Sequence, residues 1–314
     1  MPTLAPIAAY DIDPDGKARP VGDGPLQSGW RWHHLDMSDP ALPAWLAGQL
    51  DPLVCSALLA SETRPRVDPY GEGLIVTLRG VNLNAGADPE DMVSLRMWVT
   101  KDRVISVRKR RLMALDEIRA GAEQGNAPAT PGAFLVALAA GLSHRIEAVA
   151  LDLEDKVDDL EERSLDAQST QSHECLPLRQ TTIKLRRFLG PQRDALDELT
   201  TDRSVLSADQ AIHLNESANR TARTVEALES SRERLAAIQD HLDAQTALKL
   251  GRNSYILSVM AAIFLPLGFL TGLFGVNVAG MPGTDAAWAF AGLCLVSVVI
   301  GAALYGAFRW RGWL

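Results

Sequence analysis

Charge is almost absent from the last stretch of about sixty residues, although the composition of the whole chain is ordinary. Charged residues make up 22% of the 314 residues and hydrophobic residues 47%, and the formal net charge is −8. Nearly all of the charge lies before Arg252. This segregation indicates two parts that meet different solvents. The acidic balance argues against a nucleic-acid partner, because nucleic-acid-binding proteins usually display a basic face.

Cysteine is also scarce. Cys55, Cys175 and Cys294 are far apart and show no CxxC spacing, so the simplest interpretation is a reducing compartment and no disulfide framework. The N-terminus has no basic segment followed by an apolar core, so we expect no secretory signal and a cytoplasmic location for about the first 250 residues. A glycine-rich phosphate loop, an HExxH pair and a nucleophile elbow are all missing. We therefore predict neither an enzyme nor a bound cofactor.

Two long runs near the C-terminus contain no charged residue. Residues 255–274 read YILSVMAAIFLPLGFLTGLF, and residues 286–308 read AAWAFAGLCLVSVVIGAALYGAF. About 20 helical residues cross a hydrocarbon core of roughly 30 Å, so both runs are long enough to span a membrane. The alternative is a pair of buried core helices. It is disfavoured, because soluble helices rarely stay apolar on all sides for this length.

The flanking charges predict how the two spans are oriented. Lys249 and Arg252 precede the first span, Arg309 and Arg311 follow the second, and the connecting residues 275–285 contain no Lys or Arg. By the positive-inside rule, both termini lie in the cytoplasm and the connecting loop lies outside. We expect a multi-pass protein of the inner (plasma) membrane, embedded in the lipid bilayer.

Two helices cannot enclose a water-filled path, so the hairpin is either an anchor or one part of a ring of copies. Gly268, Gly272 and Gly275 follow each other at nearly four-residue spacing, a pattern that lets membrane helices approach closely. Pro266 lies in the middle of the first span, where neighbouring helices can compensate for its missing hydrogen bond. Both features favour association, although any membrane helix tolerates them.

The first part of the chain mixes strand and helix patterns. Residues 71–83 and 92–110 are rich in β-branched and apolar residues, which is typical of strands. Residues 40–61 have a helical pattern that is broken near Asp51–Pro52. We therefore predict an α+β cytoplasmic domain over residues 1–130.

The remainder of the chain is predicted to be helical. Proline and glycine in residues 125–133 indicate a linker. Within a helical region, residues 131–206, we expect one long helix over 133–166 and one or two shorter helices over 173–201. From Ser207 to Phe274 only Gly251 and Pro266 are helix breakers, which favours one stalk helix of roughly 100 Å that includes the first span. The alternative is a coiled-coil segment followed by a separate span. A thin heptad-like seam is formed by Val225, Leu228, Leu235, Ile238 and Leu242.

The first span is followed by Gly275-Val276-Asn277 and then VAGMPG. A long helix, a two-span C-terminal hairpin and a Gly-x-Asn turn together resemble the CorA superfamily of divalent-cation transporters, which carry Gly-Met-Asn at this place. Valine in the triplet and the sequence after it are similar to the ZntB-like zinc-transporter branch. Residues 64–84 and 89–99 also resemble that branch, so the likeness covers most of the chain.

The resemblance implies a homopentamer whose first spans line a central pore. Asn277 would then form a ring of amides at the outer mouth, on a turn held by Gly275 and Val276, while residues 309–314 form a short cytoplasmic tail. Helical spacing then places six residues near the pore axis: Thr271, Gly268, Leu265, Ala261, Leu257 and Ser254. Gly272 is the alternative to Thr271, and Ser258 is the alternative to Leu257. Gly251 and Arg252 would lie at the inner neck.

Neutral amide oxygens suit the passage of a hydrated divalent cation. They accept hydrogen bonds from the bound waters without removing them, and they hold the ion weakly enough to release it. The alternative role for Asn277 is a helix C-cap. Zinc as the transported ion follows from the resemblance alone, with Mg²⁺, Co²⁺, Ni²⁺ and Cd²⁺ as other candidates. Two other hypotheses remain: a CorA-type magnesium or cobalt channel, and a membrane-anchored coiled-coil sensor that moves no ion.

Two further groups are candidates for metal contact. Residues 152–162 contain seven acids that would either attract cations or form a solubilising helix surface: Asp152, Glu154, Asp155, Asp158, Asp159, Glu161 and Glu162. His173 and Cys175 are of the types that bind zinc, although residues so close in sequence do not converge well. The alternative is that they bind no metal.

Overall fold

A computed structural model describes residues 4–22, 24–165, 172–276, 281, 283 and 285–312, with the backbone alone at Ser172 and His173. The chain divides into two compact units, Met1–Asp240 and His241–Leu314. The strands of the described part are β1 (Ala8–Ile12), β2 (Ala18–Pro20), β3 (Trp30–Asp36), β4 (Arg66–Tyr70), β5 (Gly73–Gly80), β6 (Val93–Val99) and β7 (Arg103–Arg108). Its helices are α1 (Leu42–Ala47), α2 (Pro52–Leu59), α3 (Met113–Glu123), α4 (Pro131–Ser164), α5 (Ser172–Thr201), α6 (Ala208–Phe274) and α7 (Ala289–Trp310).

The strands form one sheet in the order β2-β1-β3-β7-β6-β5-β4. All neighbours are antiparallel except β3 and β7, which pair in parallel with His34 opposite Ser106. The outer strands β2 and β4 contain Pro20 and Pro69. These positions fit the rule that proline in a sheet is confined to edges, because it cannot donate a ladder hydrogen bond.

Both faces of the sheet are covered. On one face, Leu95, Met97 and Val99 of β6 join a core that includes buried residues of α3, α4, α5 and α6. On the other face, Ile105 and Val107 of β7 pack with buried residues of α1 and α2. Because central strands are buried on both sides, they read as apolar clusters rather than strict alternation. The expected mixed α/β N-terminal domain is confirmed.

The N-terminus of α4 is anchored to the sheet by aromatic packing. Phe134 is fully buried, and its ring centroid lies 5.7 Å from that of Trp30 and 5.2 Å from that of Trp32. Thr130 caps the helix, because its Oγ1 accepts a hydrogen bond from the Ala133 backbone N at 3.1 Å. The helix therefore begins at Pro131, inside the stretch expected to be a linker. Proline is favoured there, because an N–H in the first turn of a helix has no partner within the helix and its absence costs no hydrogen bond.

Three helices of the N-terminal unit pack against one another in pairs. α4 contacts α6 through Ser143 and Thr221, whose hydroxyl oxygens are 3.1 Å apart, and α4 contacts α5 through an ion pair of Arg163 and Glu174 at 2.8 Å. α5 contacts α6 through Arg186 and Glu229 at 2.6 Å. The described parts of α4, α5 and α6 in this unit therefore form a three-helix triangle.

The long helix expected from Ser207 onward is confirmed as α6, which runs without a break through 67 residues. Ser207 starts it with a reciprocal cap. Its Oγ accepts from the Gln210 backbone N at 3.2 Å, and the Gln210 Oε1 accepts from the Ser207 backbone N at 3.0 Å. The Nε2 of Gln210 also donates to Thr130 at 2.8 Å, which ties the start of α6 to the start of α4.

Two neighbouring histidines of β3 are held neutral in the fold. His34 is buried, its Nδ1 lies 3.0 Å from the Ser106 hydroxyl, and its Nε2 accepts a hydrogen bond from Arg108 at 2.8 Å. Burial, and then the charge of Arg108, lower the pKa of His34 from 6.5 to about 3. Burial lowers the pKa of His33 to about 4, with a contribution from Arg103.

These lowered pKa values predict a pH-dependent stability. Because the unfolded chain binds protons on these histidines below about pH 6.5 while the folded chain does not, stability is full above that pH and falls as pH drops towards 4. We expect the melting temperature of the N-terminal unit, followed by near-ultraviolet circular dichroism, to drop between pH 7 and 5. The drop should be smaller in His34→Asn and unchanged in His144→Asn, which alters an exposed histidine. Equal drops in both variants would contradict the assignment.

Candidate ion-conduction site

Three helices of the described chain are long and apolar enough to cross a membrane: α4, α6 and α7. Burial separates them, because 44% of the most apolar window of α4 is buried inside the protein, against 6% for α6 and none for α7. The apolar side of α4 belongs to the core under the sheet. The end of α6 and the whole of α7 expose many large apolar side chains. Contact of such a large apolar surface with water is unfavourable, so both segments are suited to a lipid environment.

In the C-terminal unit, each helix has one partly covered stripe. On α6 the half-buried positions recur every three or four residues: Val259, Ala262, Ile263, Leu267 and Leu270. α7 has a matching series: Ala289, Gly292, Leu293, Ser297, Ile300, Gly301, Leu304 and Phe308. Such stripes arise when two helices pack along one face each. The opposite face of α6 therefore has no cover from this chain in the described part.

The residues expected to line a pore lie on that uncovered face. Ser254, Leu257, Ala261, Leu265, Gly268 and Thr271 are all exposed. Around the helix axis they lie on average roughly 170° from the half-buried stripe, since a helix turns about 100° per residue, and Thr271 is at the edge of this face, directly after Leu270. The side-chain hydroxyls do not project freely, because Ser258 donates to the Ser254 carbonyl at 2.9 Å and Thr271 to the Leu267 carbonyl at 3.0 Å. The face is thus uncharged and mostly apolar.

The Gly-Val-Asn motif directly follows the end of α6. The backbone N of Gly275 donates to the Gly272 carbonyl at 3.1 Å, and a Cβ at Gly275 would lie 3.0 Å from the Thr271 carbonyl oxygen. This close approach favours glycine at the turn. Val276 is exposed, and Asn277 lies outside the described residues. The placement of the amide therefore stays a prediction.

The seven acids of α4 do not form one group. Arg234 of α6 forms ion pairs with Asp158 at 2.5 Å and with Glu161, and Lys156 pairs with Asp152 at 2.6 Å. The hydrogen bonds that Arg234 donates to Glu161 and then to Asp158 raise the pKa of Arg234. Sequence reasoning missed this partner, because it lies more than seventy residues away along the chain. Glu154 is half-buried, whereas Asp155, Asp159 and Glu162 are exposed.

Of the two predicted zinc ligands, the structure describes the side chain of Cys175 alone. Cys175 is only 3% exposed, and the side chain of His173 lies outside the described part. Within the residues that the structure describes, no group of three or more His, Cys, Asp or Glu side chains could hold a metal ion. A site at His173 and Cys175 stays a prediction without further support.

Comparison with known proteins places this geometry in a family. Residues 27–309 match the family model described as CorA-like Mg²⁺ transporter protein. The zinc transport protein ZntB of Pectobacterium atrosepticum is 36% identical over 313 residues, which cover 98% of this chain and 94% of the relative. The divalent cation transporter CmaX of Pseudomonas aeruginosa is 38% identical over 289 residues, covering 90% and 87%.

Solved structures agree with the fold. The structure of the full-length CmaX protein superposes with a TM-score of 0.84 at 36% identity and covers 97% of each chain. The complete CorA magnesium transporter from Methanocaldococcus jannaschii has a TM-score of 0.80 at 16% identity, covering 99% of this chain and 100% of that one. The chain therefore belongs to the CorA-like family of Mg²⁺ transporter proteins, a family of divalent-cation transporters and not of enzymes.

Proposed function

We propose that the protein carries zinc across the inner membrane as a homopentamer, through a central pore lined by the C-terminal end of α6. The observation that carries the proposal is the uncharged, uncovered face from Ser254 to Thr271, on the other side of α6 from its half-buried stripe. A membrane helix with one covered and one uncovered face needs either lipid or further copies on the uncovered side. Glycines at 268 and 272, where an added Cβ would meet no atom within 4 Å, leave room for close neighbours.

A ring of such helices conducts by holding the ion loosely. Its wall offers no carboxylate and no free imidazole, so a dication passes with its waters attached. Asn277 at the outer end supplies the polar contacts, as a ring of carboxamide oxygens that accept hydrogen bonds from the ion's water shell. Such a ring concentrates the hydrated ion at the mouth without trapping it.

The proposed topology follows the positive-inside rule. Lys249 and Arg252 before the first span and Arg309 and Arg311 after the second keep both ends of the chain in the cytoplasm. The cytoplasmic part then comprises the α/β domain of residues 1–130, the helical region 131–206 and the first part of the stalk 207–274. Residues 275–285 form the outer loop, and 286–308 form the second span.

The preference for zinc over magnesium is supported by relatives rather than by donor chemistry. Several similar proteins carry the name zinc transport protein, at 32% to 36% identity. The family model, however, is that of Mg²⁺ transporters. Because neither a thiol nor an imidazole lies on the described pore face, the wall itself does not select the softer ion.

Reconstitution tests the function. Purified protein in liposomes loaded with a metal-sensitive dye should show saturable Zn²⁺ influx that protein-free liposomes lack, and light scattering in detergent should give the mass of five chains. Mg²⁺, Co²⁺, Ni²⁺ and Cd²⁺ are measured in parallel, with gradients in each direction. Faster Mg²⁺ or Co²⁺ flux than Zn²⁺ flux would favour a magnesium or cobalt channel. A monomer or dimer without flux would favour an anchored sensor.

A further inference from the structure

The outer side of α5 carries a groove lined with arginines. It has a volume of about 620 Å³ and lies between α5 and α6 of the N-terminal unit. Ile183, which is 50% exposed, and Val225 give it an apolar floor. The arginines around this floor are Arg179, Arg186, Arg187, Arg193 and Arg232. Such a concentration of one charge around exposed apolar surface favours an acidic partner over water alone.

Not all of these arginines are neutralised within the chain. Glu229 pairs with both Arg186 and Arg232, and Arg193 pairs with the neighbouring Asp194. Arg179 and Arg187, by contrast, have no carboxylate within 4.0 Å in the part of the chain that the structure describes. Their guanidinium donors are therefore available to an incoming carboxylate, which they can bind in a bidentate fashion.

α4 carries a stripe of the opposite sign, which we call the acidic stripe. It consists of Asp152, Asp155, Asp159 and Glu162. Spacings of three, four and three place them on one helix face, opposite the buried Leu153, Val157 and Leu160. Among the described residues, only Asp152 of this stripe has a direct ion-pair partner, Lys156, although Asp159 also lies in the field of Arg163.

The groove and the acidic stripe belong to different parts of the three-helix triangle. The groove is formed between α5 and α6, whereas the stripe lies on the exposed face of α4, where Asp159 borders a cavity shared with Pro177 and Leu178 of α5. Among the described residues, no ion pair joins the two surfaces within one chain. They can meet between neighbouring copies that repeat in the same orientation, because a head-to-tail contact joins two different surfaces and closes into a ring. A five-membered ring requires such a contact, since a two-fold contact joins copies only in pairs.

We infer that the acidic stripe of one subunit docks into the arginine groove of the next, and that this contact closes the N-terminal units into a ring. The inference rests on the homopentamer of the proposed function, and it names the surfaces that build it. Asp155 and Asp159 pair with Arg179 and Arg187 of the neighbouring subunit. In the assembled ring these acids hold subunits together rather than attracting cations.

Charge reversal tests the contact in the full-length protein in detergent. The groove variant is Arg179→Glu/Arg187→Glu, the stripe variant is Asp155→Lys/Asp159→Lys, and the swap variant combines all four changes. Light scattering and native mass spectrometry give the pentamer fraction against concentration. In the groove and stripe variants, like charges face each other, so the concentration for half-assembly should rise at least roughly tenfold. The swap variant restores opposite charges and should recover most of the loss.

Matched controls carry the same charge changes elsewhere on the N-terminal unit. Arg64→Glu/Lys101→Glu and Asp15→Lys/Glu72→Lys alter exposed residues without ion pairs among the described residues, and both should assemble like the wild type. Circular dichroism checks that each variant keeps its helix content. For a variant that loses helix, the neutral pair Arg179→Gln/Arg187→Gln replaces it and should weaken the salt dependence of assembly.

The outcomes separate the contact from the assembly itself. A wild type that is not pentameric refutes the proposed assembly and the inference with it. A pentameric wild type whose groove, stripe and swap variants all assemble equally well refutes the inference alone, and so does a swap variant no better than the two others. Intact rings that lose bound phosphatidylglycerol only in the groove variant would overturn the inference and assign the groove to lipid headgroups.

Discussion

Replacing Asn277 by alanine is expected to abolish most divalent-cation flux while leaving the proposed pentamer intact. The change removes every carboxamide from the proposed ring, and an alanine methyl group cannot accept hydrogen bonds from metal-bound water. A hydrogen bond to a charged group contributes about 1.5–3 kcal/mol. Losing even one such contact therefore lowers ion occupancy at least roughly tenfold. The initial rate of Zn²⁺ influx is measured in dye-loaded proteoliposomes.

Three further variants distinguish the amide ring from a helix cap. Asn215→Ala makes the same chemical change on an exposed part of α6 and should transport normally. Asn277→Gly keeps a residue that favours a C-cap but removes the amide. Loss of flux in the glycine variant supports an amide ring that contacts the ion. Normal flux in that variant would mean that Asn277 acts only as a helix C-cap. Asn277→Asp should lower both the half-saturating concentration and the maximal rate, because a carboxylate holds the ion more tightly.

Truncating Phe134 is expected to destabilise the N-terminal unit strongly. The side chain is fully buried between α4 and the sheet, in edge contact with Trp30 and close to Trp32. Phe→Ala changes in cores cost about 3–5 kcal/mol, a large part of the roughly 5–15 kcal/mol that stabilises a typical domain. Urea unfolding of the full chain, followed by near-ultraviolet circular dichroism, should show an earlier first transition for Phe134→Ala.

The matched control for this prediction is Phe290→Ala, which removes the same atoms from a side chain that is 79% exposed on α7. Its first transition should coincide with that of the wild type. Phe134→Leu, which keeps most of the apolar volume, should fall between the two. If Phe134→Ala unfolds at the wild-type urea concentration, then the packing of α4 on Trp30 and Trp32 does not stabilise this unit as described.

Local sequence signals predicted the helical half of the chain well. The scarcity of breakers from Ser207 to Phe274, where only Gly251 and Pro266 occur, identified α6 as one helix. The break at Asp51–Pro52 separates α1 from α2, and Asp51 caps the second helix by accepting from the Leu53 backbone N at 2.9 Å. Proline alone was a weaker guide, because α5 contains Pro177 and Pro191 and continues through both.

Contacts between distant segments were beyond sequence reasoning. The strand-like residues 92–110 proved to be the two strands β6 and β7. The parallel pairing of β3 with β7 places His34 beside Ser106, and no local sequence pattern predicts this pairing. In the same way, the acids of α4 read as one cluster until Arg234 was placed beside two of them. The half-buried stripe of α6 became visible only in the structure, because burial depends on neighbours that the local sequence does not show.

The prolines at the two margins of the sheet have a consequence for crowding. When several copies of one domain are held side by side, their local concentration is high. Unpaired edge strands can then pair between copies and cause aggregation. Pro20 in β2 and Pro69 in β4 each interrupt the row of donors that a foreign strand would need. Both edges of the sheet are thus protected against pairing with another strand, so neighbouring copies can lie close together without forming a continuous sheet.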